Sequence, residues 1–270
     1  MAIRFEKDEW ALILGGSSGF GLAAARKLSS CGMSVAVAHR DRAGAMTAIE
    51  PEFERLRRGD AGFFALNVDA LSPQGRDRIL DELSSHMGGR GKVRVLLHSI
   101  ALGNLKPLVR SPFSDDRDLL LDEDDFAGTV HAMGTSLATW TRTLHERGLF
   151  AGDARVLSLT SEGNEVAWRG YAAVSAAKAA LEAVSRSIAV EFAPWGIRAN
   201  VLQPGVTDTR ALRMIPGSEA MKASAQRRNP FGRLTTPEDV ADVVALMCTP
   251  EARWVNGAIL RVDGGERVGG

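Results

Sequence analysis

A phenol and an ammonium stand seven positions apart in Tyr171-Ala-Ala-Val-Ser-Ala-Ala-Lys178, at the head of an apolar stretch with helical periodicity. Seven residues at ~100° each return close to the same helix face, two turns and roughly 10 Å further along. One ligand lying beside that helix meets both groups. Tyr171 is also the sole tyrosine of the chain. A buried ammonium near a phenol favours the phenolate, so the pair is expected to lower the tyrosine pKa. Tyr171 would then give a proton or a strong hydrogen bond to an oxygen gaining negative charge. Taken alone, the two residues also read as a solvated surface pair; the elements that carry them decide between the readings.

The 270 residues are 45% hydrophobic and 24% charged, which suits one α/β domain spanning residues 1–270 with a large core. Basic and acidic residues number 33 each. That balance provides no basic field for nucleic acid or an anionic membrane, and neither partner is expected. The two cysteines, Cys31 and Cys248, share no metal-ligand spacing, and Cys31 falls near the end of an apolar helix as a buried thiol. The five histidines are scattered without an H-x3-H pair, so no metal site is expected. Acidic residues occupy the amino terminus where a signal peptide is apolar, and no run approaches ~18 apolar residues. A cytoplasmic protein is the expectation.

Short apolar runs at about 10–14, 33–38, 61–66, 93–98, 154–160, 197–202 and 257–262 alternate with helical patterns such as 22–31, 43–58, 72–86, 126–147 and 174–193. Runs apolar on both faces suit parallel strands covered on two sides. The pattern predicts a doubly wound, Rossmann-type parallel sheet of about seven strands with helices on both faces, joined by right-handed crossovers. In such sheets ligands bind outside the carboxyl ends of the strands. Two segments read as irregular, 99–124 and 204–236, and lengths of that kind often serve as lids; the second is the expected substrate-binding loop region.

The cofactor end is expected after the first strand, in Gly15-Gly16-Ser17-Ser18-Gly19-Phe20-Gly21. Glycine permits a tight turn and close backbone approach, and the helix that follows offers unpaired N–H groups and a positive dipole end to a pyrophosphate. The second strand ends at His39-Arg40-Asp41-Arg42. Arginine there matches a ribose 2′-phosphate, so Arg40 favours NADPH, while Asp41 keeps NADH open as the second reading.

Taken together, Gly15-x3-Gly19-x-Gly21, Asn67-Val68, Ser161, Lys178, Pro204-Gly205 and Val262-Asp263-Gly264-Gly265 resemble the short-chain dehydrogenase/reductase family over almost the whole chain. The resemblance implies that Asn67 and Val68 flank the adenine and that Ser99, Ile100 and Ala101 line the nicotinamide side. It also implies that Pro204 and Gly205 lead into Val206, Thr207 and Thr209, which take the nicotinamide amide and pyrophosphate. Two departures are informative. The family's usual tyrosine, four residues before the lysine, is here Val174, with Tyr171 three residues earlier. His98-Ser99-Ile100-Ala101 replaces the usual Asn-Asn-Ala-Gly. Both are similar to the divergent branch that contains enoyl-acyl-carrier-protein reductases, as is the stretch from Asp208 to Arg233. A displaced tyrosine is compatible with an enoyl thioester, where charge develops on an oxygen three bonds from the β carbon that is reduced.

Ser161 polarises a carbonyl in either chemistry, or caps the turn after the fifth strand. His98 reads as structural, and Glu165 and Trp168 border the substrate or pack the loop. Leu212, Met214, Ile215 and Met221 suit an apolar wall for an acyl chain, and Lys222, Arg227 and Arg228 suit an acidic carrier protein. The leading expectation is NADPH-dependent reduction of the trans-2 double bond of an enoyl thioester, with Tyr171, Lys178 and Ser161 as the catalytic set. The alternatives are a carbonyl or 3-oxoacyl-thioester reductase and, from another class, a catalytically silent NADPH-binding sensor. The resemblance further implies a homotetramer joined through about 126–147 and 174–193.

Overall fold

Every apolar run of the sequence becomes a strand. They are β1 (Glu9–Leu14), β2 (Ser34–His39), β3 (Phe63–Asn67), β4 (Lys92–His98), β5 (Phe150–Leu159), β6 (Ile197–Pro204) and β7 (Ile259–Val262). The computed structural model describes residues 3–112 and 119–269. All strand pairs are parallel, in the order β3-β2-β1-β4-β5-β6-β7. Strands β1, β2 and β4 are buried along almost their whole length, as expected of strands covered on both faces, whereas the edge strands β3 and β7 are partly exposed.

The helices are α1 (Gly19–Ser30), α2 (Ala43–Arg57), α3 (Pro73–Met87), α4 (Glu123–Val130), α5 (Ser136–Glu146), α6 (Ala172–Glu191), α7 (Arg210–Arg213), α8 (Ser218–Arg228) and α9 (Pro237–Met247). They form two cores, one on each face of the sheet. The first gathers α1, α2 and α9 around Leu28, Phe53 and Val244. The second gathers α3, α5 and α6 around Leu83, Trp140 and Leu181. Among the described residues no helix is long and apolar enough to cross a membrane.

The segment 204–236, read as irregular, contains α7 and α8; Pro204, Pro216 and Pro230 bound these helices rather than preventing them. The predicted 126–147 helix starts earlier, at a capping box in which Asp122 accepts from Asp125 N–H. A π-helical turn at His131–Thr135 then interrupts it. Gly134 in that turn lies where a Cβ would stand 2.8 Å from Ala177 O, so the glycine lets the turn press against α6 one residue before Lys178. Of the predicted segment 99–124, residues 113–118 lie outside the described residues.

Sheet order places the topological switch at β1, flanked by β2 and β4. The crevice beyond its carboxyl end is where this architecture binds ligands. There Ser99 N–H donates to Leu14 O at 2.8 Å, and a Cβ at Gly15 would stand 2.5 Å from Ser99 O. The segments following β1 and β4 therefore meet backbone to backbone.

Candidate active site

The glycine turn fits a dinucleotide. Gly15 and Gly19 adopt positive φ, 84° and 51°, which glycine reaches without strain. At Gly21 a Cβ would overlap Gly15 O, so the helix can follow the turn this closely only with glycine there. Ser18 is the N-cap of α1 but makes no side-chain cap bond, and the first turn of the helix holds no acidic residue. The amino end of α1 thus keeps free donors and a positive dipole for an anionic group. Ser17 and Phe20 complete the turn, with Phe20 packed onto the first core. Thr209 closes it from the far side, its Cγ2 3.6 Å from a Cβ built at Gly19.

At the β2 tip, Arg40 pairs with Asp69 at 2.9 Å, both side chains being well exposed. Asp41 is drawn inward: Oδ2 meets His39 Nδ1 at 3.1 Å, and Arg210 reaches Oδ1 at 3.5 Å. Asn67 fixes this tip by donating to Asp41 O and accepting from Asp41 N–H, at 2.9 and 3.1 Å. Val68 N–H donates to His39 O at 2.8 Å.

Tyr171 is the N-cap residue of α6 and makes no side-chain cap bond. Its ring is clamped. Trp168 packs edge-on against it, with centroids 5.3 Å apart at 84°, and Gly163 leaves no room for a Cβ, which would overlap the ring at Cε1 and stand 2.9 Å from Trp168 Cζ3. Gly163 is itself held to α6, its carbonyl accepting from Ser175 Oγ. Burial raises the Tyr171 pKa above 10.0, and the neighbouring Ser161 hydroxyl partly opposes the rise. This corrects the expectation of a phenol acidified by Lys178: the ammonium points elsewhere, and the phenol keeps its proton.

Ser161 is the N-cap residue of the short 3₁₀ turn Glu162–Asn164, but its side chain makes no cap bond and, among the described residues, its buried Oγ has no hydrogen-bond partner. The hydroxyl therefore stands beside the phenol without a properly formed bond to it. A capping role is not what the site shows; an orphaned buried hydroxyl instead suits an oxygen of a bound molecule.

Lys178 is buried, and its Nζ donates to Leu159 O at 2.7 Å. Burial lowers its pKa to about 8, with Glu182 acting in the opposite direction. Glu182, one helical turn later, is 8% exposed and accepts from Thr160 Oγ1 and Asn164 Nδ2, both at 2.6 Å. His98 is structural, as its sequence position suggested. Burial, with the charge of Lys178, lowers it to about 3, and Nε2 contacts Ser136 Oγ at 2.8 Å.

Position 174 is closed. Val174 is 4% exposed and packs with Met133, Leu105 and Tyr171. A Cβ at Gly103 would stand 2.7 Å from Val174 Cγ2, and one at Gly170 2.5 Å from Leu105 O. The segment after Ala101 therefore lies over the first turn of α6.

On the β6 side, Val206 N–H donates to Glu266 Oε2, Thr207 Oγ1 to Gly205 O, and Thr209 Oγ1 caps α7 by accepting from Leu212 N–H. Sequence reasoning missed Gly163, Asn164, Glu182 and Glu266. Of these only Glu182 left a signal, a carboxylate four residues after the lysine on an apolar helix. Lys222, Arg227 and Arg228, the cations expected to suit a carrier protein, differ in their partners. Arg228 is spent on Glu162 and Glu266, and Lys222 on Asp208 and Glu219, so Arg227 alone of the three has no partner among the described residues. Glu165 likewise pairs with Arg267. No cluster of metal-ligating side chains occurs among the described residues.

A family model described as "Enoyl-(Acyl carrier protein) reductase" matches residues 15–266. An uncharacterized oxidoreductase of Methylorubrum extorquens is 30% identical over 95% of this chain and 97% of its own length. The 3-oxoacyl-[acyl-carrier-protein] reductase MabA of Mycobacterium bovis is 29% identical over 96% and 92%. Among solved structures, FabI from Candidatus Liberibacter asiaticus superposes with a TM-score of 0.82 at 21% identity, covering 96% of this chain and 95% of that one, a likeness of fold. The glycine turn, the Tyr171–Lys178 helix and these matches converge: the chain belongs to the short-chain dehydrogenase/reductase family and is an oxidoreductase of nicotinamide dinucleotides.

Proposed function

We propose that this protein reduces the trans-2 double bond of an enoyl thioester with NADPH, working as one reductase domain over residues 1–270. The observation that carries the reading is position 174. The place of the usual tyrosine is filled by buried Val174 beneath the segment 101–106, so Tyr171, a turn earlier, is the phenol left to the site. The part-buried, protonated phenol donates its hydrogen bond to the thioester oxygen as charge develops there, and Ser161 offers a second donor to the same oxygen. The reduced nicotinamide supplies the electrons and hydrogen delivered to the β carbon. Lys178 holds the nicotinamide ribose and places a positive charge near the developing enolate. Gly15, Gly19 and Gly21 admit the pyrophosphate, with Ser17, Ser18, Phe20 and Thr209 around it. Asn67 and Val68 flank the adenine; Ser99, Ile100, Ala101 and the 204–207 segment line the nicotinamide. The inward turn of Asp41 and the presence of Arg40 support a 2′-phosphate over a free hydroxyl.

A carbonyl reductase is the second reading, favoured by the Ser161 hydroxyl beside the phenol. The test follows NADPH consumption with a medium-chain trans-2-enoyl thioester, beside the matching 3-oxoacyl thioester and with NADH in parallel. Acyl carrier protein and coenzyme A are compared as carriers. Turnover of the enoyl compound alone is expected, and Tyr171→Phe should lower kcat by about 10²–10³ while NADPH still binds. Turnover of the 3-oxo compound alone selects the carbonyl reductase; tight NADPH binding with no turnover selects a sensor. Light scattering tests the proposed homotetramer.

A further inference from the structure

Five charged side chains from three separate segments of the chain converge beside the loop that leaves β6. Glu266, in the turns after β7, is 2% exposed. Its Oε2 accepts from Val206 N–H at 2.9 Å, and its Oε1 accepts from Nη2 of Arg228, the last residue of α8, at 3.1 Å. The same Nη2 donates to Glu162 Oε1 at 3.1 Å, next to Ser161 in sequence. Arg267 holds Glu162 at 3.8 Å and also Glu165. A Cβ at Gly205 would lie 2.6 Å from Glu266 Oε2, so the carboxylate occupies the room that a side chain at 205 would take.

A buried carboxylate is costly unless its oxygens are engaged. Burial does push Glu266 above the usual carboxylate range, while the Val206 amide and Arg228 oppose the rise. Both of its oxygens are committed, one to the cofactor loop and one to the helix that walls the substrate side.

We propose that Glu266 is a positioning residue that ties the seating of the 205–209 loop, and with it the nicotinamide end of the cofactor, to the docked position of α8. The proposal rests on the reading that residues 206–209 hold the nicotinamide. Displacing α8 removes Arg228 from Oε1 and frees the carboxylate that fixes Val206, so cofactor affinity and the substrate wall move together.

The test titrates NADPH into the purified full-length protein and follows nicotinamide fluorescence. Glu266→Ala is expected to raise Kd about tenfold; Arg228→Ala and Glu266→Gln, the latter keeping an oxygen for Val206 but losing the charge facing Arg228, about threefold each. The double variant Arg228→Ala/Glu266→Ala should be no weaker than Glu266→Ala alone, because both act through one contact. Additive losses, or unchanged affinity in the Glu266 variants, overturn the proposal. Should Glu266→Ala fail to fold, Glu266→Gln decides alone, a threefold loss supporting the coupling and an unchanged Kd refuting it. Thr207→Ala separates the two levels. If it weakens NADPH binding while the Glu266 variants do not, the loop reading stands and the coupling falls; if neither changes Kd, both fall.

Discussion

Lys178 occupies a place that disfavours the charge its proposed role requires. Burial lowers the ammonium to about 8 from 10.5, and Glu182 one turn away offsets only part of that. Two pH dependences of opposite sign follow. Between about pH 8 and 10.5 the unfolded chain keeps a proton on this lysine that the folded protein has released, so this group makes stability rise with pH across that window. On the role proposed for Lys178, activity depends on the ammonium and should fall over the same range. The expected outcome is a decline of kcat/KM above about pH 8 while the urea midpoint gains from this site. Lys178→Arg keeps its charge at any accessible pH. Its lower plateau should lack the alkaline fall, since a guanidinium does not titrate there. Persistence of the fall in Lys178→Arg would assign the titration to another group.

At the scale of elements, the helix that carries Tyr171 and Lys178 is aimed by what packs on its first turn. The 3₁₀ turn after β5 is bound to α6 through Ser175 to Gly163 O and through Asn164 to Glu182, and it carries both Ser161 and the face of Gly163 against which the Tyr171 ring lies. Gly163→Ala puts a methyl where the ring is and must displace one of them. Kinetics of this variant with the enoyl thioester should show kcat/KM down about 10²-fold with NADPH affinity kept, since an ångström of misplacement suffices for such a loss. Full activity would show that the ring position is not what limits the reaction. The strands and the glycine turn were legible in sequence because each is encoded locally: apolar runs for strands buried on two faces, glycines where a turn needs positive φ or backbone contact. The clamp on Tyr171, the π-helical turn at Gly134 and the Glu266 contacts were not. The last two depend on partners distant in sequence, Gly134 with Ala177 and Glu266 with Val206, and the clamp, though its residues are close in sequence, depends on how the loop from Gly163 to Trp168 folds back on the ring; neither periodicity nor spacing records such meetings.

Across the whole molecule, the end of the sheet opposite the site is held by one carboxylate among three arginines. Asp153 accepts from Arg155 and Arg198, each at 2.6 Å, and pairs with Arg94 at 2.8 Å. Arg94 and Arg155 also donate to the carbonyls of Met247, Cys248 and Thr249, the orphan acceptors at the end of α9. The cluster therefore joins β4, β5 and β6 to the helix that packs on α1, and so braces the glycine turn from behind. Burial works against the Asp153 charge, but the hydrogen bond from Arg155 and the charges of Arg155, Arg94 and Arg198 outweigh it and hold its pKa below 3.8. A group depressed in this way stabilises the fold above its unfolded pKa, and the contribution is lost as pH falls through the folded value. Asp153→Asn leaves fully buried Arg155 facing an uncharged amide. Because Asp153 is itself part-exposed, the expected cost is about 2 kcal/mol rather than the larger figure for a wholly buried pair, or roughly 5 °C in Tm at pH 7. NADPH affinity measured below the transition should change little, because the cluster bears on the fold and not on the ligand. Calorimetry as a function of pH supplies the check: the gap between wild type and Asp153→Asn should be full at neutral pH and close only as the pH drops below 3.8. A gap independent of pH would mean that the carboxylate's shape, not its charge, holds the three arginines.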